Sequence, residues 1–373
     1  MVHAVARVAS QTKSPWSRRA LTFSLVWLAA VLGTALAPLL LGLALTHDVV
    51  RFAASRRPFM LVRLVTFALF YAWAELAGLC LLGGVWVVSR FEREPAASLV
   101  ARTYDVQLRW ASALFVFARS LLSLGFEVEG DDAVEPGPVI LLLNHASLLD
   151  TLLPTIFVTG AHGMRLRFVL KDELLVSPCL DVAGLRLPNV FVDRSSTQTA
   201  RELERIRALS DGLGPREGAI LYPEGTRMTP SKRERALARL AAEDPALHAE
   251  ARKLERLMPP RFGGTGALLD GAPEADVLFL AHRGLEGFAH FEDFLAGSLV
   301  GSTIRLRFTR VPRHEVPTDR EGRARWLLHE WQRLDAFVSE GRGGSDGRVT
   351  QLRRGADDVR RLAPPRRRPT PAP

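Results

Sequence analysis

Residues 138–154 have the sequence PVILLLNHASLLDTLLP, and the rest of the chain is best interpreted from this stretch outward. The apolar run 139–143 is typical of a fully buried strand, and a helix is expected to begin near Ser147. The polar pair Asn144 and His145 therefore falls where a strand gives way to a helix. In α/β proteins, this edge of the sheet is where ligands usually bind.

His145 and Asp150 are five residues apart, and this spacing limits how they can interact. In one continuous helix the two side chains would point roughly 140° apart and would not meet. They meet only if His145 precedes the helix and its ring folds over the first turn. An imidazole held by a carboxylate is a general base for an alcohol. Ser147 and Asp150 also fit a capping box, so a purely structural role stays open.

Two later strands are also predicted to end in polar residues. Residues 168–170 are strand-like and lead to Lys171, and the strand 189–192 leads to Asp193 and Arg194. An arginine beside a helix N-terminus is suited to hold a phosphate, although a surface ion pair is the simpler explanation when this residue is taken alone.

The third cluster follows the strand predicted at 219–222 and reads Pro-Glu-Gly-Thr-Arg over residues 223–227. Pro-Glu-Gly alone is ordinary turn chemistry. Three consecutive β-to-α units that end in polar residues nevertheless favour one shared site. The sequence therefore predicts an α/β fold with a mixed, mostly parallel sheet flanked by helices.

The N-terminal part is apolar enough to enter a membrane. Residues 21–45 carry no charge and are long enough to cross a hydrocarbon core of about 30 Å, and a second run follows between Arg63 and Arg90. We predict a two-helix membrane anchor over 21–90, either spanning or re-entrant, and flanking charges favour a cytoplasmic main domain. Glu75 interrupts the second run, and a structural or helix-contact role is favoured for it. The amphipathic stripe at 108–122 is expected to pack on the sheet rather than lie on the bilayer.

The net charge of +9 resides at the two ends of the chain. Residues 1–20 are a basic segment, and residues 341–373 contain nine arginines against three aspartates in a Gly- and Pro-rich tail that we predict to be disordered. A basic core for nucleic acid is therefore not indicated. Two cysteines are too few for a disulfide framework, and the histidines show no metal-ligand spacing.

The three clusters resemble the first three motifs of the glycerolipid, or lysophosphatidate-type, acyltransferases. The matching residues are Asn144-His145-x-Ser147-x-x-Asp150, Phe191-Val192-Asp193-Arg194 and Tyr222-Pro223-Glu224-Gly225-Thr226-Arg227. The resemblance covers residues 126–337. Its fourth motif is assigned to Pro260 and Arg261, with the strand 277–281 as the alternative. Residues 304–337 are similar to the lysocardiolipin-acyltransferase-like branch of the family.

The resemblance implies a membrane-bound O-acyltransferase with its α/β acyltransferase domain at 91–340. It implies His145 as general base and Asp150 as the residue that orients it, with backbone N–H groups after His145 for the oxyanion. The implied substrate-binding residues are Asn144, Ser147, Lys171, Arg194, Glu224, Gly225, Thr226, Arg227, Pro260 and Arg261.

The expected reaction moves an acyl group from an acyl-CoA or acyl-carrier-protein thioester to a lysophospholipid, most simply lysophosphatidate. No metal or other cofactor is expected, and the expected partners are the bilayer and the two substrates rather than nucleic acid. The alternatives are a different lysophospholipid or polar lipid acceptor, or a catalytically silent membrane lipid-binding protein.

Overall fold

A mixed eight-stranded sheet forms the centre of the computed structural model, which describes residues 14–93, 95–147, 149–192, 199–285, 291–340 and 349–352. The strands, in chain order, are β1 (Gly125–Glu129), β2 (Val139–Leu143), β3 (Arg165–Lys171), β4 (Val190–Val192), β5 (Glu217–Leu221), β6 (Asp276–Arg283), β7 (Thr303–Val311) and β8 (Val349–Leu352).

The strand order is β4-β3-β5-β2-β6-β7-β1-β8. The first five of these strands are parallel to one another, with β2 between β5 and β6 and with Leu141 opposite both Ile220 and Leu278. β7 is antiparallel to β6 and parallel to β1, and β8 is antiparallel to β1. The predicted mixed, mostly parallel sheet is therefore confirmed, and the carboxyl ends of β2 to β6 share one edge.

The central position of β2 explains its sequence. All five of its residues are buried, as expected for a parallel strand covered on both faces. Because side chains alternate along a strand, Leu141 and Leu143 join the core on one face while Ile140 and Leu142 join the core on the other.

Eleven α-helices of the described residues surround the sheet. They are α1 (Pro15–Ala35), α2 (Ala37–Ser55), α3 (Leu61–Phe91), α4 (Ala96–Leu122), α5 (Pro178–Arg186), α6 (Thr199–Ser210), α7 (Pro230–Glu243), α8 (Pro245–Ala251), α9 (Phe262–Gly271), α10 (Phe291–Ala296) and α11 (Arg320–Ser339). Several begin at a side-chain cap: Ser177, Thr229, Asp244 and Asp319 each accept a backbone N–H of the helix that follows. The stripe at 108–122 lies in α4 and packs on the sheet, where Phe115 contacts Phe126 and Phe157.

The predicted first apolar span, 21–45, is divided between α1 and α2 at Leu36. Pro38, in the first turn of α2, has no N–H to donate to the carbonyl of residue 34, which accounts for the break. The charges at Arg51, Arg56 and Arg57 predict a short linker between the two spans at 46–57, but residues 46–55 continue α2 instead. α2 and α3 are the two described helices that are long and apolar enough to cross a membrane.

Glu75 has partners that sequence spacing does not indicate. Its carboxylate is fully buried in α3 and accepts the Ser177 hydroxyl at 2.7 Å and the Cys179 backbone N–H at 2.9 Å, both at the start of α5. Buried Asp181, one turn further along α5, pairs with Arg18 and Arg19 of α1. These contacts agree with the favoured structural role of Glu75: its carboxyl group holds α5 against the N-terminal helices.

Two smaller differences from the predictions concern local structure. The helix expected near Ser147 is a 3-10 turn at Leu149–Leu152 followed by a π-helical segment at Thr155–Gly160. In the tail predicted to be disordered, Val349–Leu352 forms strand β8 against β1, which corrects the prediction for those four residues. The other residues of 341–373 lie outside the described part of the chain.

Candidate active site

His145 and Asp150 meet at the carboxyl end of β2. The Nδ1 atom of His145 lies 3.0 Å from Oδ1 and 3.2 Å from Oδ2 of Asp150. The histidine precedes the 3-10 turn, so its ring folds back onto the carboxylate in the arrangement that the spacing requires. Asp150 is fully buried, whereas the His145 side chain is 14% exposed and can be reached from solvent.

The Asp150 carboxylate is fixed by the backbone as well as by the imidazole. Its Oδ2 atom accepts the N–H groups of Ala146 and Ser147, both at 2.7 Å. The Ser147 hydroxyl in turn accepts the N–H groups of Leu149 and Asp150. Ser147 and Asp150 thus form the reciprocal cap that was the alternative explanation, and the same carboxylate also holds His145. The two roles coexist.

Glu224, on the turn after β5, connects this turn to His145. Its Oε1 atom accepts the His145 backbone N–H at 2.9 Å, and its Oε2 atom accepts the Met258 N–H at 3.1 Å. Burial raises the pKa of Glu224 to about 8; the two N–H donors oppose the rise, while Asp150 and Asp335 add to it. With 2% exposure and both oxygens engaged, Glu224 is not placed to bind substrate, and that prediction is corrected to a positioning role.

Asn144 and Ser147 are also buried, at 1% and 0% exposure, so neither is placed to contact a substrate as predicted. The Asn144 side chain pairs instead with the backbone of His282 on β6, accepting its N–H at 2.9 Å and donating to its carbonyl at 3.0 Å. These bonds continue the β2–β6 ladder by one residue and fix the chain just before His145.

His282 is a residue of this site that the sequence analysis did not select. Its Nε2 atom lies 2.8 Å from the Asn144 carbonyl oxygen and 3.6 Å from Oδ2 of Asp150, and its side chain is fully buried. The local pattern contains no signal beyond a histidine at the end of an apolar strand, because the contact depends on the register of β2 against β6. Tyr222, quoted in the third motif, has its ring centre 4.9 Å from that of His145.

Gly225, Thr226 and Arg227 complete the third motif after Glu224. This glycine has φ of +70°, a left-handed conformation that glycine adopts without strain. A Cβ atom there would lie 3.1 Å from Nε of Arg261. The Thr226 hydroxyl accepts Nζ of Lys232 at 3.0 Å, and the Arg227 side chain is exposed.

The fourth motif lies next to the third. The backbone N–H of Arg261 donates to the Pro223 carbonyl at 2.9 Å, and Pro260 before it is buried. Burial and the neighbouring charge of Arg239 lower the pKa of Arg261. Pro260 and Arg261, rather than residues 277–281, therefore supply the loop that contacts the third motif. The alternative strand lies within β6 beside β2.

Two further predicted phosphate ligands, Lys171 and Arg194, follow strands β3 and β4. Lys171 is the last residue of β3, which pairs with β5, so it lies at the same edge of the sheet as His145. Arg194 lies outside the described residues, although β4, which leads to it, ends at this edge.

The predicted oxyanion donors are already in use. The backbone N–H groups of residues 145, 146, 147, 149 and 150 all donate to Glu224, Asp150 or Ser147 side chains. They hold the loop around His145 together and are not available for a reaction intermediate, which corrects the prediction for the four groups after His145.

Fold and site together define a class of protein. It is an α/β protein in which a solvent-accessible histidine, paired with a buried aspartate, lies at the carboxyl edge of parallel strands. The loops 224–227 and 258–261, which carry Arg227 and Arg261, lie beside it. Among the described residues, no group of three or more His, Cys, Asp or Glu side chains is arranged to hold a metal ion.

Comparison with known proteins shows which proteins this chain is similar to. Residues 125–263 match the family model named Acyltransferase. The chain is 22% identical over 216 residues to the 1-acyl-sn-glycerol-3-phosphate acyltransferase epsilon of Mus musculus, an alignment that covers 54% of this chain and 57% of that one. It is 28% identical over 146 residues to the 1-acyl-sn-glycerol-3-phosphate acyltransferase of Pseudomonas aeruginosa, which covers 39% of this chain and 54% of the relative.

A solved structure is also similar. The 1-acyl-sn-glycerophosphate acyltransferase PlsC of Thermotoga maritima aligns with a TM-score of 0.48 and 16% identity, over 75% of this chain and all of that one. The alignments span little more than half the length of the two curated relatives. Residues 125–263 are therefore an acyltransferase domain, similar to those of 1-acyl-sn-glycerol-3-phosphate acyltransferases, which agrees with the resemblance of the motifs.

Proposed function

We propose that the protein is a membrane-bound O-acyltransferase that moves a fatty acyl group from a thioester to the free hydroxyl of lysophosphatidate, giving phosphatidate. The observation that carries the proposal is the distance of 3.0 Å between Nδ1 of His145 and Asp150, in a domain whose relatives are named 1-acyl-sn-glycerol-3-phosphate acyltransferases.

The proposed chemistry needs one base. With Nδ1 directed at Asp150, Nε2 of His145 takes the proton of the acceptor hydroxyl as its oxygen attacks the thioester carbonyl carbon. The tetrahedral intermediate then collapses, the C–S bond breaks, and the thiolate leaves with the proton that His145 returns. Such general base catalysis contributes roughly 10²- to 10⁴-fold. Asp150 orients the imidazole and stabilises its charged form.

The acceptor phosphate is assigned to cations at the same sheet edge. Arg227 and Arg261 lie on adjoining loops, and neither guanidinium has a hydrogen bond or ion pair within the described part of the chain. Lys171 and Arg194 would complete the grip from β3 and β4. A guanidinium binds phosphate well because its paired donors match two phosphate oxygens. Gly225 keeps this approach open, since a side chain there would press on Arg261.

The N-terminal helices are proposed to hold the site at a bilayer. α2 and α3 are long and apolar enough to cross one, and large apolar side chains of α1 to α3 are exposed, among them Trp27 at 57% and Leu43 at 62%. This surface is costly in water and favourable in lipid. The acceptor and the product are themselves lipids, so attachment brings the enzyme to its substrate. The flanking charges support a cytoplasmic position for the acyltransferase domain.

The proposed donor is acyl-CoA or an acyl-carrier-protein thioester, and no further cofactor enters the reaction. A thioester is already activated toward acyl transfer, so a base and an electrostatic environment for the oxyanion are enough.

The test is product identification by mass spectrometry. The detergent-purified protein is incubated with palmitoyl-CoA or palmitoyl-acyl-carrier protein and a panel of lysophosphatidate, lysophosphatidylcholine, lysophosphatidylethanolamine and lysocardiolipin. We expect phosphatidate as the main product. Another acylated lipid as the main product would support the acyl-transfer reaction but show that lysophosphatidate is not the preferred acceptor. No acylated product with any pair would contradict the proposed activity and favour a lipid-binding protein.

A further inference from the structure

The peptide unit that joins Asn144 to His145 is held at both ends by buried side chains, one from strand β6 and one from the turn after β5. Its carbonyl oxygen lies 2.8 Å from Nε2 of His282, at the end of β6. Its N–H group donates to Oε1 of Glu224 at 2.9 Å, on the turn after β5. The residue proposed as general base therefore starts from a peptide plane that cannot rotate while both contacts persist.

The contact with His282 has a defined direction. A carbonyl oxygen only accepts hydrogen bonds, so Nε2 of His282 carries the hydrogen in this contact. The other ring nitrogen, Nδ1, is buried and has no hydrogen-bond partner among the described residues. Within the part of the chain that the structure describes, the single hydrogen bond made by this ring is thus the one to the Asn144 carbonyl.

His282 also lies beside the carboxylate that orients His145. Its Nε2 atom is 3.6 Å from Oδ2 of Asp150, the oxygen that accepts the N–H groups of Ala146 and Ser147. That distance is too long for a hydrogen bond, so the bond to the Asn144 carbonyl is the contact that counts here. The ring is fully buried, so it cannot touch either substrate.

We infer that His282 is a positioning residue for acyl transfer: its Nε2–H holds the 144–145 peptide so that Nδ1 of His145 stays on Asp150 and Nε2 faces the acceptor hydroxyl. This inference rests on the proposed function. Removal of the donor leaves a buried carbonyl unpaired and frees the peptide plane, while the surface that binds substrate is unchanged. A displacement of about 1 Å at a reacting group costs on the order of 100-fold in rate.

The experiment compares two substitutions of this ring. His282→Gln places an amide N–H near the position of Nε2, and His282→Leu fills the space without a donor. We expect kcat to fall about 10- to 100-fold in His282→Leu with KM nearly unchanged, and most of kcat to return in His282→Gln. The matched control is His314→Leu at a ring that is 82% exposed, which should leave both constants unchanged.

The outcomes separate this inference from the proposed function. A wild type that acylates no acceptor overturns both. An active wild type with His282→Leu at full kcat, with His282→Gln as impaired as His282→Leu, or with a raised KM and normal kcat overturns only the role of His282.

A second measurement determines the tautomer of His282 in the wild-type protein itself. In protein labelled with 15N-histidine, the His282 signals, assigned by their loss in His282→Gln, should show a protonated Nε2 and a bare Nδ1. The opposite tautomer would remove the donor from the Asn144 carbonyl and overturn the inference.

Discussion

At the scale of single residues, the site depends on carboxyl groups that are buried rather than on ones that face a substrate. Asp150 collects two backbone N–H groups and the His145 imidazole, and Glu224 collects the N–H groups of His145 and Met258. The loop that supplies Met258 is held in turn by Asp335 of α11, whose carboxylate accepts three successive backbone N–H groups at residues 255–257. These contacts fix the direction of one imidazole.

Glu224 is expected to make the stability of the folded protein depend on pH. Its pKa is raised from 4.5 to about 8, chiefly by burial, so between these values the folded protein holds a proton that the unfolded chain has lost. The stability that this proton contributes is complete below about pH 4.5 and is lost as the pH rises through about 8. We therefore expect the melting temperature of the wild type, relative to Glu224→Gln, to fall from pH 5 to pH 8 and to level off above.

The measurement is a series of thermal melts of both proteins in the same detergent at pH 5 to 9. Because the amide introduced by Glu224→Gln does not titrate, the difference between the two melting temperatures isolates the Glu224 carboxyl. A difference that grows in favour of the wild type as the pH rises would show that the folded protein holds an ionised carboxylate throughout, contrary to the prediction.

Local sequence spacing predicts contacts between nearby residues of the site better than contacts between residues far apart in the chain. The His145–Asp150 spacing is local, so helix geometry alone indicates that the two side chains meet only when the histidine precedes the helix. The Asn144–His282 pair is separated by 138 positions and depends on strand register, which no local pattern encodes. For the same reason the motif does not show that Glu224 accepts the backbone N–H groups of His145 and Met258, which belong to other loops.

At the scale of secondary-structure elements, the short helix α5 connects the N-terminal helices to the acyltransferase domain. Glu75 of α3 binds its first turn, Arg18 and Arg19 of α1 bind Asp181, and Arg186 at its end donates to the Leu82 carbonyl of α3 at 2.9 Å. α5 lies between β3 and β4, the strands that end in Lys171 and lead to Arg194. The N-terminal helices therefore contact the segment that connects the two strands whose ends carry or precede Lys171 and Arg194.

Substitution of Glu75 tests this connection. Glu75→Leu leaves the Ser177 hydroxyl and the Cys179 N–H buried without an acceptor, and each such loss costs roughly 1–3 kcal/mol. We expect a drop of several degrees in the melting temperature in detergent. Glu92→Leu is the matched control near the end of the same helix, since Glu92 is 55% exposed and pairs only at the surface with Arg102. Equal melting temperatures for the two variants would contradict the docking role.

Sequence patterns predicted the strands of this region and the apolar character of the N-terminal segments, but not where those segments break. Residues 21–45 contain no charge to mark a boundary, and the interruption at Leu36 follows from Pro38 within an otherwise helical run. The partners of Glu75 lie more than 100 residues away, so its role became visible only in three dimensions.

At the scale of the whole molecule, apolar exposure is concentrated on one group of elements. Among the described residues, large apolar side chains that are more than a third exposed lie in α1 to α3 and at Leu36 between α1 and α2, with Leu185 on α5 the exception. The net charge of +9 arises instead from the two termini. The proposed arrangement therefore has lipid against α1 to α3 and water against the remaining faces.

Fluorescence quenching by lipid tests this arrangement. Trp27 and Trp86 are 57% and 48% exposed on α1 and α3. Trp326 on α11 instead packs against the core on the face of the sheet that includes Ile140 and Leu142. In vesicles made with brominated phosphatidylcholine, we expect the double variant Trp27→Phe and Trp86→Phe to lose much of the quenching seen in the wild type. Trp326→Phe should retain it. Equal quenching in both variants would contradict a membrane surface on α1 to α3.

The most direct test of the central claim is the rate of acyl transfer to lysophosphatidate by His145→Ala, measured beside its lipid binding. If His145 is the general base oriented by Asp150, transfer falls at least about 100-fold while lysophosphatidate still binds, because the cationic loops are unchanged. A His145→Ala protein that transfers the acyl group at the wild-type rate would contradict the account.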